Sequence, residues 1–317
     1  MADTCRVAFV GAGGMTREHI RVFKDIPGVA VVGITNRTRE KAETLAAEFG
    51  LPAVYDTIGD MAAHSRANLA VLAVYEPAIR MTAEACFEYP WSVLMEKPIG
   101  LDLADARAVA VTAEAKHRRV WVGLNRRALA STRAVLSGLA DDPGPRYIHV
   151  QDQQSLDAAR AIGHRPEVVN NWMFANSIHL VDYLTAFGRG TVSKVERLTR
   201  FDPVNPGVVL AKITFTSGDL GLYEAIWNGP GPWACTVSTS KRRWELRPLE
   251  RAVFQNAGER ALNPVEPEAC DAQFKPGFRV QAERVVAAWR GEESPAPTIA
   301  DALRTTELVA KIYGRSS

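Results

Sequence analysis

Residues 6–16 read RVAFVGAGGMT: a short apolar run, Arg6–Val10, stops at glycine, and Thr16–Asp25 follows with Ile20 and Phe23 three apart, as on one helix face. Strand, glycine turn and helix in that order form the outline of a dinucleotide-binding turn. Gly11 permits the tight turn, and Gly13 lets a pyrophosphate approach the backbone. The amides that open the helix, those of Gly14 and Met15 among them, face the phosphates. Thr16 stands where the fingerprint has Gly or Ala, which predicts a slightly wider helix–strand contact. An ordinary strand-to-helix turn has the same outline; the place of this one at the head of a βαβ unit favours nucleotide binding.

Outward from that turn the pattern repeats. Val29–Thr35, Leu69–Val74, Trp91–Met95 and Val120–Leu124 are apolar runs of strand length. Between them lie helix-like stretches: Arg39–Gly50, Pro77–Tyr89 with proline at its start, and a helix capped by Asp102 that runs to about His117. Strands apolar on both faces and separated by helices mean a parallel sheet covered on both sides, with right-handed crossovers. Residues 1–125 are therefore expected to form a doubly wound α/β domain. After Asn125 the pattern changes. Arg146–Gln154 reads as a strand, Leu156–Asn171 as a polar stretch without period, and Asn176–Phe187 as a helix. Five strand-like segments follow between Val192 and Leu246, with Ser217-Gly218-Asp219 as a hairpin turn. Val209, Ala211, Ile213 and Phe215 share one face of theirs, which predicts a half-buried, mostly antiparallel open sheet. Two helices, about Phe278–Arg290 and Ile299–Tyr313, close the chain. Residues 126–317 are expected to form an α+β domain that binds substrate and oligomerises.

A length of 317 residues suits two domains. The 38 basic and 36 acidic residues leave a formal charge of +2, which gives no support for nucleic acid or a membrane surface as partner. Cys5, Cys86, Cys235 and Cys270 are far apart in sequence, so neither a disulfide framework nor a metal site is expected. Met1–Arg6 lacks the basic start and apolar core of a signal peptide, and no apolar run approaches a membrane span. A cytoplasmic protein is expected.

The end of the second strand bears on the choice of cofactor. An acidic residue there would accept hydrogen bonds from the ribose of NAD; this chain has Asn36-Arg37-Thr38-Arg39. Arg37 and Arg39 are suited to pair with a 2′-phosphate, which favours NADP(H) over NAD(H). Two solvated arginines at a helix start would look the same.

The run Met95-Glu96-Lys97-Pro98-Ile99-Gly100 closes another strand, where ligands of doubly wound sheets sit. Pro98 restricts Lys97 to extended backbone, and the bond between them is of the kind that adopts cis. Here the chain resembles the Gfo/Idh/MocA family of oxidoreductases, the glucose–fructose oxidoreductase and inositol dehydrogenase group. The resemblance rests on GAGGMTREH (11–19), MEKPIG (95–100), VGLNRR (122–127), SIHLVD (177–182) and DALRTTELVAKIY (301–313), and covers nearly the whole chain. It implies a Rossmann domain for NAD(P), a second domain presenting a sugar, polyol or nucleotide sugar, and a homodimer or homotetramer through the C-terminal sheet. It also implies Lys97, His179 and Asp182 as catalytic residues, with Lys97 and His179 meeting over the nicotinamide. Glu96 and Tyr75 join Gly11, Gly13, Gly14, Met15, Asn36, Arg37 and Arg39 as expected cofactor contacts. One departure stands out. Many members carry aspartate four residues before the histidine; here that position is Ala175, with Asn176 beside it and Ser177 where glycine is common.

Alcohol oxidation needs a proton acceptor and a positive neighbour for the oxygen. A histidine such as His179 exchanges protons near neutral pH, and Lys97 is suited to hold an alkoxide-like oxygen. Asp182, three residues on, shares a helix face with His179 and is expected to orient it or to bind a sugar hydroxyl. Arg126, Arg165, Trp172 and Asn176, with Lys97 and His179, are the candidate substrate contacts. His19 is open between facing phosphates, facing solvent and packing. Two other functions stay in view: a nucleotide-sensing regulator without turnover, kept alive by Ala175, and an NAD-dependent glycosidase-like enzyme.

Overall fold

β1 (Cys5–Val10), β2 (Val29–Thr35), β3 (Val54–Tyr55), β4 (Leu69–Leu72), β5 (Ser92–Met95) and β6 (Val120–Val122) form an all-parallel sheet in the order β3-β2-β1-β4-β5-β6. This computed structural model describes residues 4–315; Met1, Ala2 and Asp3, part of the stretch read for a leader, lie outside the described residues. The strands are apolar throughout because each face meets its own layer. Val7 and Phe9 of β1 pack into one cluster with Ile20, Phe23 and Ile34, whereas Ala8 and Val10 join Met61, Ala83, Val109 and Ala113 on the other side. Phe9 and Phe23 meet edge-on at 6.1 Å with no exposed surface, and each such burial contributes about 2–3 kcal/mol. The sequence order reverses between β1 and β4, which opens a crevice beyond their carboxyl ends.

Two elements of this unit were not legible. β3 has two residues, too few to show a period, and the helix after it, Ile58–His64, is capped by Thr57, whose side chain accepts from the Asp60 amide. A third difference concerns the domain limits. Residues up to Asn125 form one unit together with Cys270–Leu303, and Arg126–Ala269 with the residues from Arg304 on form the other. The expected single break at 125/126 is thus corrected by a returning segment. Its helix Phe278–Trp289 inserts Phe278, Ala282, Val285 and Val286 into the cluster of Ile20 and Phe23, and Arg279 pairs with Asp25. Helical periodicity marks an apolar face without naming the partner that covers it.

The second unit is built on eight strands: β7 (Tyr147–Gln154), β8 (Val192–Arg197), β9 (Val208–Phe215), β10 (Leu220–Trp227), β11 (Ala234–Ser238), β12 (Arg242–Leu246), β13 (Ala252–Asn256) and β14 (Asn263–Pro264). Their order is β14-β13-β12-β11-β7-β10-β9-β8, antiparallel except for the β7–β10 pair. Val209, Ala211, Ile213 and Phe215 all face inward, and Ser217–Asp219 turns β9 into β10 with Gly218 at φ +88°. The helix Ile178–Phe187 lies on the buried face, where Tyr183, Leu184 and Phe187 are fully enclosed. Residues 156–170 are not the irregular stretch expected. They make two short helices, Leu156–Ala161 capped by Ser155 and Pro166–Asn170, each too short for a period to show.

Candidate functional site

In the first unit the glycine turn has one position that only glycine can fill. Gly11 sits at φ +107°, and a Cβ there would lie 2.1 Å from the Ala73 carbonyl oxygen at the end of β4. Gly13 and Gly14 differ: a Cβ on either meets nothing within 4 Å. Gly13 caps the helix Gly14–Lys24 without a side-chain hydrogen bond, and no acidic residue stands in its first turn. The result is a bare, positively polarised helix end above an unfilled approach, which fits a pyrophosphate. Met15 beside it is 39% exposed. Thr16 does not merely hold helix and strand apart; it is fully buried, and its hydroxyl donates to Ala73 O at 3.4 Å.

At the end of β2 the two arginines separate. Arg39 is held by Glu43 at 2.8 Å and by Asp56, bonds that keep its pKa above the ordinary value. Asn36 donates to the Thr38 carbonyl. Arg37 is exposed and makes no ion pair among the described residues, so it alone is available to a 2′-phosphate. Tyr75 follows β4 at 38% exposure.

The Glu96 side chain is engaged within the first unit. Its carboxylate lies 2.7 Å from His19 Nε2, both side chains buried, and it presses on the Cα of Gly123, where a Cβ would be 2.9 Å from Oε1. The His19 ring packs 4.8 Å from that of Phe278, so His19 faces neither solvent nor phosphate. This internal pair fixes the end of β5 just before Lys97, which is half-buried and joined to Pro98 by a cis bond. Asn125, after β6, is likewise buried and donates to the Pro276 carbonyl.

In the second unit a π-helical turn, Met173–Ser177, leads into the helix Ile178–Phe187. Turns of this kind displace the residues around them and recur at functional sites. His179 is 9% exposed, with its ring 6.1 Å from that of Trp233. Arg126 lies over the same indole at 5.4 Å and stands 3.8 Å from Glu250. Asp182 does not join this group. It takes a two-pronged bond from Arg127 at 2.8 and 2.7 Å and another from Thr305 at 2.8 Å. Both its oxygens are so engaged, and the side chain is buried. Arg165 is exposed beside Glu167 at 3.8 Å, and Arg160 pairs with Asp157. Phe174 belongs to the core, whereas Trp172 is half-buried, its ring 5.0 Å from that of His164.

Sequence reasoning missed Trp233, Asp152 and Gln154. The signal for the last two was present: Ile148 and Val150 alternate inward on β7, so Asp152 and Gln154 must follow them. Gln154 donates to Asp152 at 2.7 Å and accepts from Trp172 Nε1 at 2.8 Å and Asn176 Nδ2 at 2.9 Å. Asp152 also accepts from the Tyr223 hydroxyl at 2.7 Å, and Tyr223 meets Tyr313 at 2.8 Å. Burial raises the Asp152 carboxyl to about 6, against the lowering effect of those hydrogen bonds.

With this geometry in place the comparisons are specific. Residues 5–124 match the model described as "Oxidoreductase family, NAD-binding Rossmann fold" of GFO_IDH_MocA. Over those residues the chain carries the NAD-binding Rossmann domain of that family. Among curated proteins it is similar to a D-apiose dehydrogenase of Paraburkholderia graminis, 26% identical over 66% of this chain and 56% of that protein. It is also similar to an inositol 2-dehydrogenase of Saccharopolyspora erythraea, 32% identical over 44% of each. The matched stretch thus spans about half the length of these relatives. Among solved structures, a dehydrogenase from Chromobacterium violaceum superposes with a TM-score of 0.83 over 96% of this chain and 92% of that one, at 18% identity, which shows the shared fold.

Proposed function

We propose that the whole chain is a Gfo/Idh/MocA-type NAD(P)-dependent dehydrogenase acting on a secondary hydroxyl, or the corresponding ketone, of a sugar, polyol or nucleotide sugar. The observation that carries the proposal is the turn at Gly11, sealed against Ala73 on one side and leaving the uncapped helix end open on the other. The names of the apiose and inositol dehydrogenases support the substrate class. Bound at that helix end, a nicotinamide dinucleotide would supply the two-electron chemistry. Gly13, Gly14 and Met15 would hold its pyrophosphate, and Arg37 a 2′-phosphate, so NADP(H) is the preferred form. Lys97, set at the end of β5 by the His19–Glu96 pair behind it, acts as the positive neighbour of the substrate oxygen. His179 accepts or returns the hydroxyl proton, with Trp233 and Arg126 packed beside it. Trp172 and Asn176 contact the substrate.

The open face of the eight-stranded sheet, with Tyr147, Val208 and Leu220 exposed, supports a homodimer or homotetramer, which light scattering on the eluted protein would count. No helix among the described residues is long and apolar enough to cross a membrane. All four cysteines are free, which fits the reducing cytoplasm proposed for the chain.

The test is direct. The full chain is titrated with NADPH and NADH by fluorescence, and turnover is followed by absorbance with polyols, aldoses and nucleotide sugars. Lys97→Ala is expected to lower turnover by about a hundredfold to a thousandfold while cofactor binding persists. Unchanged turnover in that variant removes Lys97 from the chemistry. Ala175, buried and without a polar group, is the one observation that favours a regulator instead; tight NADPH binding with no turnover on any substrate would establish it.

A further inference from the structure

Four side chains of the second unit hold one another in a fixed order, and the order has a direction. An indole N–H only donates, so the Gln154 atom 2.8 Å from Trp172 Nε1 must be its carbonyl oxygen. The Gln154 amide nitrogen then faces Asp152 Oδ1 at 2.7 Å. Asn176 approaches the same Gln154 oxygen at 2.9 Å, so it must offer its amide nitrogen there. Its own carbonyl oxygen, Oδ1, is thereby turned the other way. Asn176 is half-buried, and that oxygen accepts from no described residue. The polarity of the chain follows from Trp172 and holds whether Asp152 carries a proton or not.

The anchor is deep. Asp152 and Gln154 are each 1% exposed, and Asp152 is braced through Tyr223 to Tyr313 and through it to Ser177. Asn176 lies on the π-helical turn, three residues before His179. A half-buried carbonyl oxygen held against rotation welcomes a donor and rejects another acceptor, because reversing the amide would break the bond to Gln154.

We propose that Asp152 and Gln154 are positioning residues that hold Asn176 with its carbonyl oxygen toward the ligand, so that this position reads a non-reacting hydroxyl as a hydrogen-bond donor. The ligand class is a polyol with at least one free hydroxyl beside the reacting centre; a carboxylate or ketone at that point is excluded. The proposal rests on the dehydrogenase assignment only in taking the ligand for a polyol.

Binding, not turnover, tests it. Calorimetry on the full chain compares myo-inositol and D-apiose with their single-deoxy counterparts. One deoxy position is expected to weaken binding about tenfold in the unaltered protein, the worth of one good hydrogen bond. In Asn176→Ala that difference should shrink to about twofold or less, whereas the other deoxy positions keep theirs. Gln154→Leu should relax the same position alone. Asp152→Asn, which still accepts from Gln154, should retain the discrimination that Asp152→Leu loses. Should the leucine variants fail to fold, Asn176→Ala at its half-buried site still decides the outcome. Undiminished discrimination in Asn176→Ala overturns the proposal, as does equal binding of every polyol and its deoxy counterparts to the unaltered chain. Discrimination without turnover would leave the proposal standing and sink the dehydrogenase assignment; turnover with discrimination untouched by Asn176→Ala would do the reverse.

Discussion

Asp152→Asn should make the protein more stable at neutral pH, the opposite of what removing a hydrogen-bonded acid usually does. The carboxyl titrates near 3.8 when unfolded and is raised to about 6 in the fold, chiefly by burial. Between those values the native state binds more protons than the unfolded chain, so stability falls as pH rises through the window and is fully present only below it. The gap corresponds to about 3 kcal/mol lost by neutral pH. Asparagine carries no charge to desolvate. Its oxygen can accept from Gln154 as before, and its amide can donate to Tyr223, whose hydroxyl then donates to Tyr313. The variant should therefore match the parent near about pH 4 and exceed it by up to about 3 kcal/mol at about pH 8. Urea unfolding of both proteins across that range gives the difference directly, and the common titrations cancel in it. A difference that stays flat with pH, or a variant destabilised at every pH, would refute the assignment of a buried, costly charge to Asp152.

Gly11→Ala should cost at least about 2 kcal/mol and abolish dinucleotide binding, because its Cβ would stand 2.1 Å from Ala73 O; thermal unfolding and NADPH fluorescence report the two effects. Arg37→Ser should move the NADPH-to-NADH affinity ratio toward NADH by about tenfold, whereas Arg39→Ser, already held by Glu43 and Asp56, should leave it nearly unchanged. Equal shifts in both would defeat the distinction drawn between them. Arg127→Ala should cost about 3 kcal/mol by leaving Asp182 buried without its partner, measurable as a lower urea midpoint.

The parallel sheet was legible because its strands are covered on both faces and so read as unbroken apolar runs, and Gly11 announced the turn. Helical spacing gave the right elements yet not their neighbours. His19 and Glu96 are seventy-seven positions apart, and only the folded sheet brings them to 2.7 Å. Asp182 shares a helix with His179, which suggested partnership; the tighter claim of Arg127 and Thr305 comes from other segments and left no mark in local sequence. Asp152 and Gln154 were readable in principle, as polar residues continuing the inward alternation of Ile148 and Val150.

The returning segment Cys270–Leu303 has a practical bearing on how this molecule can be cut and rebuilt. A fragment stopping at Asn125 would carry all six parallel strands yet leave Ile20 and Phe23 bare where Phe278 and Val285 should lie. Grafting the nucleotide half onto another scaffold therefore means transplanting two stretches of chain, with most of the other half, Arg126–Ala269, strung between them like an insertion.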